Sequence, residues 1–342
     1  MRNHMNRRVV IKGSLAAGIV AGFAGREGVA QEMTPEASPA NGDVRVVAAA
    51  NGNIEVSGTP ERLVFMEYEL VENAVILGIV PVGVCERDSI NAWVPLPEPL
   101  PESIVDVGAR DEPDLEAILE LQPDLIIAAK PRQDEVLDRL EAIAQTVQLE
   151  TYSPFSAPTG GMTPIANFQH VLTQVAQATN REAEAEAAIA DFDALLESAI
   201  AAVEATGNAG KPFVFVGQFP EFSSVTLFND HSRIAYTVSQ LGLVNQAGEN
   251  DSTPGLHYQE VSIENLGTML SEDTLFFVSE SSASAEEMQE FFNGAVWQSM
   301  PFVQAGNFIN LGQPNIWTAG SAITLSNLIR RVVEALGGQL EA

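Results

Sequence analysis

"PDLEAILELQPDLII", Pro113 to Ile127, runs from a glutamate near the start of a helix, along an apolar helix face, through a short acidic turn and into an apolar strand. A looser counterpart, "VSIENLGTMLSEDTLFFV", occupies Val261 to Val278 in the other half of the chain. A helix that feeds a buried strand is the unit of a parallel sheet covered on both faces. Its recurrence in each half points to two matched lobes, and a length of 342 residues suits two domains.

The pattern extends outward from this stretch. Upstream, 62–66, 80–84 and 103–108 read as strands and 69–78 as a helix. Downstream, 124–129 is a strand, 135–144 a helix and 146–150 extended. The alternation stops at 164–179 and 181–206, two helical stretches with no strand between them. It resumes with strands at 212–217, 274–279 and 307–312 and helices at 232–242, 264–271, 285–293 and 321–338. The expected architecture is α/β, with an N-terminal lobe over 44–163 and a C-terminal lobe over 211–342. Between them, 164–210 is a helical segment containing a long spine helix. The first lobe opens with "VRVVAAANGNIEVSG", which reads as a hairpin about Asn51-Gly52.

The first 43 residues read differently. "NRRVVIKG" (6–13) followed by the uncharged run Ser14–Gly25 and "GVA" resembles a twin-arginine export signal, with Asn6 and Val10 departing from its usual residues. The run is well short of the roughly 20 residues that span a bilayer. Residues 1–30 are therefore expected to be a signal peptide, and 31–43, rich in Pro and small residues, a flexible lead-in. The product is expected outside the cytoplasm, in a periplasm or at the cell exterior.

Composition narrows the function. The formal charge is −29 and only Lys12, Lys130 and Lys211 are lysines, so nucleic acid and anionic membrane surfaces are poor partners. The lone Cys85, after the apolar "VPVGV", reads as a core thiol without disulfide, metal or redox work. His170, His231 and His257 are scattered, so no protein metal site is expected. There is no nucleophile elbow, phosphate loop or dinucleotide fingerprint, and no catalytic residues are assigned.

Ligands of parallel α/β sheets bind off the carboxyl ends of the strands. The side chains expected there are Tyr68, Trp93 (in a long loop), Arg110, Lys130 and Arg132 in the first lobe. In the second they are Gln218, Phe219, Tyr258 (in a loop before Val261), Glu280 and Trp317. Arg110, Lys130 and Arg132 place three cations on two strand-end loops, read as neighbours, in a very acidic chain. Such a group suits a bulky ligand bearing oxygen anions. The plainer alternatives are turn ion pairs, Arg110 with Asp111 or Glu112 and Arg132 with Asp134 or Glu135. Trp93 and Trp317 are equally open to a core role, and Glu116 and Glu264 to favouring a helix N-terminus.

With Arg110 and the lobe plan in place, the chain resembles the solute-binding proteins of ABC importers for ferric siderophores, vitamin B12 and haem, closest to the ferric-hydroxamate and ferric-citrate branch. The segments "NAWVPLPEPLPESIVDVGARDEPDLEAILELQPDLII" and "VWQSMPFVQAGNFINLGQPNIWTAGSAITLSNLI" carry the likeness, which covers 60–337. It implies two α/β lobes on a spine helix with a shallow ligand cleft between them. It makes Arg110 the residue that hydrogen-bonds the siderophore's chelating oxygens. Trp93 and Tyr68 fall where hydroxamate binders carry pocket tryptophans, and Arg132 where they carry a tyrosine, which tilts the expected ligand toward an anionic, carboxylate-type ferric chelate. Glu116 and Glu264 match glutamates that dock onto the importer's membrane permease. The implied protein is a monomer without enzymatic activity or covalent cofactor, with iron entering only as its siderophore complex. A corrinoid or haem carrier, or a ligand sensor or enzyme that reused the fold, are the alternatives.

Overall fold

The computed structural model describes residues 44–151, 162–218, 223–247, 257–279, 285–312 and 320–340. The signal and lead-in readings, and Phe219, Glu280 and Trp317, fall outside them, as does the side chain of Gln218.

The described chain begins with a hairpin of β1 (Val44–Ala49) and β2 (Gly52–Ser57), paired antiparallel about a turn at Ala50-Asn51, one residue before the expected Asn51-Gly52. The first lobe follows: β3 (Leu63–Phe65), α1 (Tyr68–Ile76), β4 (Gly83–Val84), α2 (Arg87–Trp93), β5 (Val105–Asp106), α3 (Leu115–Glu120), β6 (Leu125–Lys130), α4 (Leu137–Ile143) and β7 (Thr146–Glu150). Its strands are all parallel, in the order β5-β4-β3-β6-β7.

The alternation of a strand decides which core each side chain joins. In β6, Leu125, Ile127 and Ala129 enter one cluster, shared with α1 and α5 residues, while Ile126 and Ala128 enter another, beneath α3 and α4. Both faces are covered, so the strand reads as one continuous apolar run. "PDLEAILELQPDLII" therefore supplies a central strand and the helix that covers one of its faces.

Two long helices, α5 (Pro164–Thr179) and α6 (Glu182–Ala205), follow without an intervening strand. α6 has 24 residues, about 36 Å at 1.5 Å per residue. Its Ala185 packs in the first lobe's core and its Phe192, Ala199 and Val203 in the second's.

The second lobe contains β8 (Pro212–Gln218), β9 (Ser224–Phe228), α7 (Arg233–Gln240), β10 (Val244–Asn245), β11 (Tyr258–Ser262), α8 (Ile263–Met269), β12 (Leu275–Val278), α9 (Ala285–Asn293), α10 (Ala295–Gln298), α11 (Pro301–Gln304), β13 (Phe308–Asn310) and α12 (Ala322–Ala335). The sheet order is β11-β9-β8-β12-β13, with β10 also on β8. Phe213, Phe215, Leu275 and Phe277 face one core, and Val214, Val216, Phe276 and Val278 the other. The sheet is mixed rather than wholly parallel: β9 is antiparallel to both β8 and β11. "SVTLF" has a strand composition, but apolar periodicity carries no information on strand direction.

The lobes meet through α1. Glu69 pairs with Arg233 of α7 at 2.6 Å. Glu72, with no exposure, accepts hydrogen bonds from the Thr324 N–H at 2.6 Å, the Thr324 hydroxyl at 3.0 Å and the Ser321 N–H at 3.4 Å, at the start of α12.

Candidate functional site

The loop after β5 is built for a tight return. Gly108 has φ +89°, and a Cβ there would sit 3.0 Å from the Asp114 backbone nitrogen, so the position requires glycine. A bridge from Gly108 to Pro113 closes the loop and holds Arg110, Asp111 and Glu112 at its tip. Asp114 then caps α3 by accepting from the Glu116 and Ala117 N–H groups, both at 3.0 Å.

The loop after β6 begins at the cis Lys130–Pro131 peptide and carries Arg132. Buried Gln133 fastens the two loops together. Its amide donates to the Arg110 carbonyl at 2.9 Å, and its Oε1 accepts from the Ala129 N–H at 2.7 Å.

The loops touch, as the sequence suggested, but the strands that carry them are not adjacent. β4 and β3 lie between β5 and β6. The two arginines meet because both lean over the end of β3, where Glu67 stands. Arg110 NH1 lies 2.7 Å from Glu67 Oε1, and Arg132 Nε 2.8 Å from Oε2. The Glu67 side chain is 1% exposed; a buried carboxylate left unpaired costs several kcal/mol, which two guanidiniums offset.

Each arginine has a second carboxylate. Glu86 Oε1 accepts the Arg110 N–H at 3.0 Å, and its Oε2 lies 3.3 Å from Arg110 Nε. Both Asp111 oxygens reach Arg132 NH1, at 2.9 and 3.0 Å. Of the turn pairs open to the sequence, Arg110 takes neither of its own. Arg132 takes one across loops, with Asp111 rather than Asp134 or Glu135. Among these groups three carboxylates face two guanidiniums, leaving one negative charge in excess rather than a bare positive pair.

Tyr68 forms the floor. The Arg110 guanidinium carbon sits 3.7 Å from its ring centroid, a cation–π contact, and its hydroxyl donates to Glu86. Burial and that hydrogen bond push the Tyr68 hydroxyl above its ordinary pKa. Burial opposes the Glu86 charge, but the Arg110 N–H, the Tyr68 hydroxyl and the guanidinium outweigh it and hold that carboxyl below its usual range. Glu86 does this from a left-handed backbone conformation, φ 52°, which costs a non-glycine residue about 1–2 kcal/mol.

The other expected residues are more dispersed. Trp93 is not in a loop: it ends α2, which starts directly after Glu86, so it stands about 10 Å along the helix axis from the site. The residue is exposed, at 37%. Lys130 ends β6 level with Glu150 of β7, and no described polar contact joins it to Glu67. Tyr258 lies in β11, not a loop. It is level with Phe228, the end of β9 away from the carboxyl end of β8, and meets that ring edge-on. Tyr258 therefore does not sit at a strand's carboxyl end, as the charged cluster does. Glu116 and Glu264 are both exposed, in the first turns of α3 and α8. Cys85 is buried against Met66, and burial pushes its thiol pKa up, as suits an inert core thiol.

Sequence reasoning missed Glu67, Glu86 and Gln133. Taking one large side chain, Tyr68, from the end of this strand passed over Glu67, although "FMEYE" places it directly beyond the strand.

The chain belongs to the periplasmic binding protein family, which matches residues 68–314. It is 28% identical to the iron(3+)-hydroxamate-binding protein FhuD of Escherichia coli over 82% of this chain and 88% of that one. It is 27% identical to the Fe(3+)-citrate-binding protein YfmC of Bacillus subtilis over 93% of each. Among solved structures, the Fe3+-Desferal-bound siderophore-binding protein FhuD of Vibrio cholerae superposes with a TM-score of 0.69 at 28% identity, covering 81% of this chain and 97% of that one.

Proposed function

We propose that this chain is an exported solute-binding protein that captures a ferric siderophore and delivers it to an ABC permease. The observation that carries the reading is the convergence of Arg110 and Arg132 on Glu67 at the strand ends of a periplasmic-binding-protein fold. Relatives named for ferric hydroxamate and ferric citrate, aligned over most of both chains, support it. Guanidiniums suit chelate oxygens because they donate in a planar fork and keep their charge at any physiological pH. Arg132 favours an anionic, carboxylate-type chelate over a neutral one. Trp93, which is exposed, and Trp317 and Lys130 are assigned supporting ligand contacts. Glu116 and Glu264, one on each lobe, are assigned to permease docking. The paired arginines at Arg7 and Arg8 support export.

Tryptophan-fluorescence titration with ferric citrate, ferrichrome, a ferric catecholate, cobalamin and haem tests the proposal. Saturable binding of one or more ferric chelates, with cobalamin and haem inert, is expected. Binding of cobalamin or haem alone would replace the reading with that of a corrinoid or haem carrier.

A further inference from the structure

The two arginines are not held alike. Arg110 is fixed on three sides: Glu67 at 2.7 Å, Glu86 at its Nε and backbone N–H, and the Tyr68 ring beneath. Its braces are themselves braced, since Glu67 also accepts the Tyr68 N–H at 2.8 Å and Glu86 accepts the Tyr68 hydroxyl. Among the described residues, Arg132 has one buried anchor, Glu67, and one exposed carboxylate partner, Asp111. The Asp111 side chain is 71% exposed, against 25% for Glu86 and 1% for Glu67. An exposed ion pair contributes little, about 0–1 kcal/mol. Asp111 also sits on the tip of the loop that Gly108 and Pro113 close, so its side chain turns away without moving Arg110's backbone anchor.

We infer that Asp111 is the specificity-determining residue of the site, a resident carboxylate that an oxygen anion of the chelate displaces from Arg132 while Glu67 keeps the guanidinium in place. This rests on the ferric-siderophore reading and sharpens it: affinity for an anionic chelate is the outcome of a competition with Asp111. Both Asp111 oxygens lie within 3.0 Å of Arg132 NH1, the pose a chelate carboxylate adopts on a guanidinium. Displacement exchanges one anion for another, so the site's charge balance survives binding. A neutral chelate offers Arg132 nothing to replace that anion and gains no such exchange.

The test titrates wild type, Asp111→Asn and Glu112→Gln with ferric citrate, which is anionic, and ferrichrome, which is neutral. Glu112 is the neighbouring loop acid, so its substitution removes the same charge from the same loop without touching Arg132's partner. Asp111→Asn is expected to bind ferric citrate about threefold to tenfold more tightly, the range an exposed ion pair and one local charge supply. Its ferrichrome affinity, and both affinities of Glu112→Gln, should stay within twofold of wild type. Equal gains in Asp111→Asn and Glu112→Gln would overturn the inference in favour of long-range repulsion. An unchanged or weakened ferric citrate affinity in Asp111→Asn would overturn it directly, leaving siderophore capture standing. Failure of all three proteins to bind either chelate, or any other ferric chelate, would overturn siderophore capture itself and the inference with it.

Discussion

Glu72 is a fully buried carboxylate whose partners all belong to the other lobe. Burial raises its pKa to about 7, despite the Thr324 and Ser321 N–H groups that favour the charged form; the nearby Glu69 adds to the rise. Glu69 is itself pushed up by burial, against Arg233, which pairs with it. A carboxyl with a raised pKa keeps its proton in the folded state where the unfolded chain has released it. Its stabilising contribution is therefore complete below the ordinary carboxylate range, is lost as pH rises toward 7, and is level beyond. The span corresponds to about 3 kcal/mol. In denaturant unfolding at pH 5, 6, 7 and 8, Glu72→Gln, which mimics the protonated form, should gain on wild type by up to that amount. Parallel stability curves for the two proteins would contradict this account of Glu72.

At the scale of elements, the helices α3 and α8 matter for what they present. Each puts one exposed glutamate in its first turn, Glu116 after the Asp114 cap and Glu264 after Ser262. The proposed docking role predicts that Glu116→Arg combined with Glu264→Arg stops iron uptake in cells while leaving chelate affinity within twofold of wild type. Normal uptake by that variant would end the docking proposal. These two elements were legible because each couples an apolar helix face to a buried strand, a pattern with no ready alternative. α2 and β9 were not. α2 has seven residues with Ile90 alone buried, too little for a periodic signal. β9 is absent from the sequence reading and β11 reads there as the loop carrying Tyr258, because both are short and what makes them strands is pairing, β11 with β9 and β9 with β8.

At the scale of the molecule, two lobes share α1, and α1 links the site to the interlobe contact. Its N-cap, Glu67, holds Arg110 and Arg132; within the next two turns, Glu69, Glu72 and Asn73 hold α7 and α12. The arginines were legible because cations are scarce in a chain of charge −29. Glu67 and Glu86 were not, because 46 acids make no single one conspicuous. Their roles also depend on a strand order that puts β3 between the two arginine loops, which local sequence does not encode. The claim that this cluster seats a ferric chelate is tested most directly by titrating Arg110→Ala with whichever ferric chelate the wild-type protein binds. Losing one charged hydrogen-bonding partner, worth about 1.5–3 kcal/mol, predicts affinity weaker by about tenfold to a hundredfold, with the fold intact by circular dichroism. An affinity equal to wild type for every ferric chelate bound would contradict it.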